Sequence, residues 1–373
     1  MKLIYVNDAL AIWGGLERVL ADKINYLASV CHYEILLVTI NQGNHPLPYS
    51  LHPSVSHQDL KINLHHKYHY RGLKRLWMTI KLESLYITRL RHVVRNYKPD
   101  AIVLMRFDHW EVYFCTQSIP LVVESHSMCI SNMFGNRSFL QRIRINLSKY
   151  LTKRARVLVT LTEGDAKDWS RYTNKIEVIP NIVYLNESGK YSCQKSKSAI
   201  FAGRLSPQKD VFALLRIWEL VHKRHPDWSL NIYGEGECEA ILRREIDDLD
   251  ANVYLHAPTQ KIIESFKDGS MLLVTSEFEP FGLVLPEAMS CGLPVVSFDC
   301  PYGPGDIITD GVDGVLIKNR DIHAFADKVC QLIEDEDVRR QMGKNGIVSS
   351  QRYRADVIMP KWVDLFQKVL SSQ

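Results

Sequence analysis

Residues 276–297 read SEFEPFGLVLPEAMSCGLPVVS. This stretch decides the fold. The apolar run Met271–Thr275 before it has the length and composition of a buried strand. Glu279 is expected to end the loop, and Phe281, Gly282 and Leu283 to open a helix that Gly292 and Pro294 end. Pro294–Phe298 is again strand-like. A strand, a loop, a short helix and a strand with no room for a hairpin imply a parallel sheet. Two carboxylates, Glu279 and Glu287, sit eight residues apart on this unit, one at the loop and one on the helix. The helix start between them offers unpaired backbone N–H groups, a setting for anions and hydroxyls.

The same alternation runs outward in both directions. Towards the amino terminus, strands are expected at Lys2–Val6, Tyr33–Ile40, Ala101–Met105, Pro120–Glu124 and Val157–Leu161. Helices are expected from Leu16 to about Ala28, over 72–97 and at about Ser138–Lys153. After a polar stretch, Tyr184–Ser198, which reads as a linker, the pattern restarts at Ala199–Gly203. It continues through Ser229–Tyr233, Val253–His256, Met271–Thr275, Pro294–Phe298 and Gly314–Ile317. The expected architecture is α/β, with two facing, doubly wound Rossmann-like domains and a cleft between them. The first spans 1–182 and is completed by a carboxyl-terminal helix at 353–373; the second spans 183–352. Ligands of such sheets bind outside the carboxyl ends of the strands.

The chain has 373 residues, 46% apolar and 24% charged, which excludes fibrous and largely disordered classes. No apolar run is long enough for a membrane-spanning helix, and Asp8 interrupts the start too early for a signal peptide, so a cytoplasmic protein is expected. The eight cysteines form no CxxC pair and read as small buried apolar residues. Charge is unevenly spread. Residues 1–180 hold 24 Lys and Arg against 14 Asp and Glu, a net of +10; the remainder holds 22 against 28, a net of −6. Segments 61–98 and 137–156 together carry seventeen basic residues and one acid, Glu83. His65, His66 and His69 lie in the first segment without carboxylate or Cys partners. A basic face for an anionic partner follows: an anionic membrane surface rather than nucleic acid, since no nucleic-acid motif accompanies the charge. Arg142, Arg144 and Lys149 are expected to belong to that face, with Phe139, Leu140, Ile143, Leu147, Tyr150 and Leu151 at helical spacing.

Glu279-Pro280-Phe281-Gly282, with Glu287 eight residues after Glu279, resembles the signature of family 4 of the retaining, nucleotide-sugar-dependent glycosyltransferases with the GT-B fold. Other matches follow in family order. Gly14-Gly15 looks like the amino-terminal glycine loop near donor phosphates and acceptor. His126 falls where the family places a His beside the donor sugar. Ile179-Pro180-Asn181 resembles the hinge motif. Gly203-Arg204-Leu205 with Lys209 resembles the phosphate-binding motif. Alone, Arg204 and Lys209 would read as surface charges and Gly234-Glu-Gly236 as a strand–helix turn bordering the nucleotide base.

The resemblance implies transfer of a hexose or N-acetylhexosamine from a nucleotide sugar to a glycan or lipid-linked acceptor in bacterial surface polysaccharide synthesis. It implies His126, Glu279, Arg204 and Lys209 as catalytic groups. Gly14, Gly15, Asn181, Gly203, Phe281, Gly282, Leu283 and Glu287 would bind the donor. The leaving diphosphate suits a guanidinium fork, an ammonium and a helix start, so no metal or other cofactor is expected. Asp248-Leu-Asp250 stands at a helix end, a poor place for a metal loop. Asp299–Ile308 resembles members using UDP-sugars, which favours UDP; a GDP-mannose-dependent mannosyltransferase and a non-catalytic scaffold subunit at the membrane are the rival readings. NAD binding is not supported, because the loop after the first strand lacks Gly-x-Gly-x-x-Gly.

Overall fold

The computed structural model describes residues 1–11, 14–116, 119–129 and 139–371, and only the backbone of residues 139 and 140. Trp13, Arg137, Ser138 and the side chains of Phe139 and Leu140 therefore lie outside the description. The chain divides into two compact units, residues 1–182 with 355–373, and residues 183–354.

The first unit runs β1 (Lys2–Asn7), α1 (Gly15–Ser29), β2 (Glu34–Thr39), β3 (Val55–Asp59), α2 (Gly72–Tyr97), β4 (Ala101–Leu104), β5 (Leu121–Ser125), α3 (Phe139–Leu151), β6 (Val157–Thr160), α4 (Glu163–Trp169) and β7 (Ile176–Val178). Its sheet has the order β3-β2-β1-β4-β5-β6-β7, every pair parallel. The inner strands are buried on both faces, which is why they read as runs dominated by Leu, Ile and Val. The edge strands differ: β3, whose VSHQD is mostly exposed, and β7, whose IEV is only partly covered, lie at the two sheet edges. The order turns back between β1 and β4.

The second unit runs β8 (Ser198–Ala202), α5 (Val211–Arg224), β9 (Ser229–Tyr233), α6 (Glu239–Asp247), β10 (Val253–His256), α7 (Ile262–Lys267), β11 (Met271–Val274), α8 (Val284–Ser290), β12 (Val295–Phe298), α9 (Gly303–Ile307), β13 (Gly314–Ile317), α10 (Ile322–Glu334) and α11 (Glu336–Ser350). Its parallel sheet has the order β10-β9-β8-β11-β12-β13, turning back between β8 and β11. Trp218 anchors the core of α5 with its indole N–H donating to the Ala251 carbonyl at 2.7 Å, so its full burial leaves no polar group unpaired. Finally α12 (Ala355–Ser371) belongs to the first unit and packs on α1, with Phe366 edge-on to Tyr33.

Three expectations change. The stretch 184–198 is not a free linker. Leu185, Asn186 and Gln194 are buried, Asn186 N–H donates to Ser290 Oγ, and the Gln194 amide donates to the Gly292 carbonyl. Its polar residues are spent on the second unit's own loops and helix ends. The helix after Glu279 begins at Val284, not Phe281, because Gly282 takes φ +91, outside helical geometry. The third concerns α2 and α3. Leu90 and Val94 face the core with Leu82 and Tyr86, but Leu73, Leu76, Trp77 and Ile80 point to solvent. On α3, Ile143, Leu147 and Tyr150 are exposed, whereas Lys149 is buried with its ammonium over the Tyr172 ring. Arg144 turns inward to Glu83 of α2 at 3.0 Å and to the fully buried Glu111 at 2.8 Å. Buried carboxylates need a cation, and that need turns Arg144 inward. Arg144 and Lys149 are thus not part of an outward basic face.

Candidate active site

In the second unit the two loops that leave β8 and β11 start on either side of the point where strand order reverses, the place where a doubly wound sheet opens a crevice. Lys209 comes from the first loop and Glu279 from the second. The Lys209 ammonium pairs with Glu279 Oε1, and Ser276 Oγ donates to the same oxygen at 2.6 Å. Glu279 is buried and Lys209 half-buried.

The backbone holds this pair in place. Glu277 N–H donates to the Gln208 carbonyl at 2.8 Å, and the Gln208 amide returns a bond to the Phe278 carbonyl at 2.9 Å. Glu279 N–H donates to Pro301 O, and Glu279 O accepts from the N–H groups of Tyr302 and Gly303. A Cβ on Gly303 would stand 1.7 Å from the Phe281 carbonyl, so only glycine permits this approach. Arg320 completes the frame. Its guanidinium meets Asp210, which caps α5, and donates to the carbonyls of Ser276 at 2.8 Å and Thr275 at 3.2 Å. Gly203 lies beside the Lys209 stem: a Cβ there would make only ordinary contact with Lys209 Cε, at 3.5 Å.

Glu287 is buried on the first turn of α8. Phe281 is buried edge-on to Tyr353 at 5.4 Å, and Leu283 stands at the start of α8. Arg204 is exposed on the loop after β8. The loops after β8 and β11 thus join an ammonium and a carboxylate at the strand crossover, with an exposed guanidinium on the first loop and a second carboxylate on the helix that follows the second. Such a set suits an anion flanked by hydroxyls.

The first unit has its own polar centre. His126, just past β5, has Nε2 2.9 Å from Glu124 Oε2, and the Lys23 ammonium of α1 donates to both Glu124 oxygens. Lys23 and Glu124 are fully buried, and the ammonium lies 4.1 Å from the centre of the Trp362 ring on α12. Burial alone would raise the Glu124 carboxyl. The Lys23 ammonium and His126 outweigh it and hold Glu124 below the usual carboxylate range. Asp165 pins both flanks of His126, accepting from Ser125 Oγ at 2.8 Å and Cys129 N–H at 2.7 Å. Gly14 precedes the first turn of α1, and Gly15 begins it. Asn181 is buried at the end of the first unit.

Comparison with known proteins adds the decisive observation. A family model described as Glycosyl transferases group 1 matches residues 187–348, and one described as Glycosyltransferase Family 4 matches residues 13–187. The chain belongs to glycosyltransferase family 4. It is 27% identical over 375 residues to the amylovoran biosynthesis glycosyltransferase AmsD of Erwinia amylovora, covering 98% of this chain and 99% of that protein. Among solved structures, S. aureus TarM in a complex containing UDP superimposes with a TM-score of 0.78 at 16% identity, covering 98% and 99% of the two chains. Anabaena HepE with UDP-glucose gives 0.75 at 19% identity, covering 100% of each. These likenesses show the GT-B fold.

In this family 4 transferase, then, the structure joins Lys209 to Glu279 directly and sets Gly203 beneath the Lys209 stem. It makes no contact between Arg204 and that pair. Gly234-Glu-Gly236 is more than a turn: a Cβ at Gly234 would stand 1.9 Å from Gly203 O, and one at Gly236 2.3 Å from Leu205 O. These glycines let the β9 loop lie directly on the backbone of Gly203–Leu205. Sequence reading missed Ser276, Asp210, Arg320, Lys23 and Glu124. Glu124 stood next to a quoted motif, but nothing local marked Lys23, 101 residues away, as its partner. Among the described residues no three His, Cys, Asp or Glu side chains gather as metal ligands.

Proposed function

We propose that this glycosyltransferase moves a hexose or N-acetylhexosamine, with retention and without a metal ion, from a UDP-sugar to a glycan or lipid-linked acceptor. The product would enter a bacterial surface polysaccharide. The observation that carries the reading is the Lys209–Glu279–Ser276 cluster at the strand crossover of the second unit. The name of the full-length relative AmsD, a glycosyltransferase of amylovoran biosynthesis, supports the product class. The UDP and UDP-glucose in the TarM and HepE structures support the base.

In this account Lys209 and Arg204 take the charge that develops on the leaving diphosphate. Donors fixed where charge develops are the largest usual source of rate. The backbone at Phe281–Leu283 lies beside the same phosphates. Glu279, paired with Lys209, accepts hydrogen bonds from sugar hydroxyls, and Glu287 takes the ribose hydroxyls. His126, its ring fixed by Glu124, contacts the sugar near the reacting carbon. The leaving phosphate takes the acceptor's proton. Gly14 and Gly15 border the acceptor side, and Asn181 serves the hinge. The basic amino-terminal unit works at the inner face of the cytoplasmic membrane.

A panel of UDP-, GDP- and ADP-sugars, with free nucleotide as readout and EDTA present, tests this reading. Release from UDP-sugars alone supports it. Release only from GDP-mannose, or only on adding magnesium, contradicts it.

A further inference from the structure

The apolar residues that α2 and α3 turn outward are unexpected in an otherwise well-packed unit. Leu73, Leu76, Trp77 and Ile80 follow one face of α2 at spacings of three and four, and they are 84%, 57%, 61% and 60% exposed. The opposite face of the helix is already satisfied, since Leu82, Tyr86 and Leu90 enter the core. Helix α2 is therefore apolar on two sides, one of them largely exposed. On α3, tied to α2 through Arg144 and Glu83, Ile143, Leu147 and Tyr150 form a second exposed stripe.

The charges around the α2 stripe identify what covers it. Residues 61–82 contain six Lys and Arg and no acid. Lys74 and Lys81 flank the stripe on the helix. The Lys81 ammonium sits 5.2 Å from the Trp77 ring centre, and Arg75 lies over Tyr68. Leu, Ile and a Trp on one side with cations beside them is the composition of a helix that lies in a lipid interface. A second copy docked through the same stripe would bring two cation rims together. No helix among the described residues is long and apolar enough to cross a membrane, so the mode is in-plane.

We infer that the first three turns of α2 insert into an anionic bilayer, with Leu73, Leu76, Trp77 and Ile80 in the acyl boundary and Lys74 and Lys81 at the phosphates. This deepens the membrane reading above and rests on it. That reading began from charge alone, which salt would erase. Apolar insertion adds a part of the binding that salt leaves in place.

The test is co-sedimentation of the full chain with phosphatidylcholine vesicles, with and without one-quarter phosphatidylglycerol. The wild type is compared with a Leu73→Ser, Trp77→Ser, Ile80→Ser variant, which keeps every cation and the buried face. The variant should bind anionic vesicles roughly tenfold or more weakly, with unchanged circular dichroism and unchanged nucleotide release from the donor in solution. Wild-type binding should persist in part at molar salt. Quenching by brominated lipid should fall on going to Trp77→Phe, which still binds. Equal binding by wild type and triple variant overturns the inference and leaves charge-driven membrane association standing. No binding by the wild type to either vesicle overturns both. A wild-type dimer in sedimentation velocity that the triple variant lacks assigns the stripe to a second copy and overturns the inference.

Discussion

Lys209 and Glu279 meet as an ion pair 70 residues apart in sequence, each on a loop that leaves a strand beside the crossover of the second sheet. In the proposed account the contact would couple phosphate and sugar recognition, because the ammonium assigned to one is paired with the carboxylate assigned to the other. Lys209→Ala is expected to lower kcat/KM for the donor by about a hundredfold, the scale of losing one preorganised charge. Glu279→Gln should lower kcat strongly. The double variant should lose less than the product of the two, since residues in direct contact are not additive. Steady-state nucleotide release measures all three; full multiplicativity would show that the two groups act separately.

The two glutamates should differ in kind. Glu287 lies on α8 and binds ribose in this account, so Glu287→Gln should raise the donor KM with kcat nearly kept, whereas Glu279→Gln acts on kcat. Equal changes in both constants for both variants would contradict the division.

The buried Lys23–Glu124 pair makes a separate prediction. Lys23→Met leaves a carboxylate in the core without its cation and should cost about 3–5 kcal/mol of stability in urea unfolding. Adding Glu124→Leu should restore much of that stability. The restored protein should still turn over slowly, because His126 has then lost its acceptor. Full activity in the stable double variant would show that the orientation of His126 is immaterial.

Glu111 supplies a pH test. Burial raises its carboxyl to about 7, with Arg144 pulling the other way, and its Oε2 has no partner among the described residues. A raised carboxyl means that the folded protein holds a proton that the unfolded chain releases. Its stabilising effect is complete below the ordinary carboxylate value and is lost as pH rises through about 7. The melting temperature should therefore fall between pH 5 and pH 8. Glu111→Gln, which keeps an acceptor for Arg144, should flatten that fall, by up to about 3 kcal/mol at about 1.36 kcal/mol per pKa unit. An unchanged pH profile in Glu111→Gln would contradict the assignment.

Much of the fold was legible because parallel strands buried on both faces carry mostly apolar runs, unbroken in β4 and β11 and interrupted only at strand ends or by single polar residues in β1, β5 and β12. Edge strand β3 was not legible, since VSHQD has one partner and little to bury. Helical spacing identified α2 and α3 but not which side faces inward. On α3 that choice was made by Glu111 and Glu83, distant residues that draw Arg144 towards them. The motif residues Lys209, Glu279 and Glu287 were visible in sequence because their spacing along the chain is part of the motif. Arg320 and Lys23 were not, because their partners are brought to them only by the folded sheet.

The central claim is that the loops after β8 and β11 bind the nucleoside diphosphate of the donor without a metal ion. Calorimetric titration of UDP into the protein in EDTA tests it most directly. The account predicts saturable binding to the wild type, weakened roughly tenfold or more in Arg204→Ala and in Lys209→Ala, on the scale of one lost charge-assisted contact. Binding that needs added magnesium, or that both variants retain at wild-type strength, would contradict it.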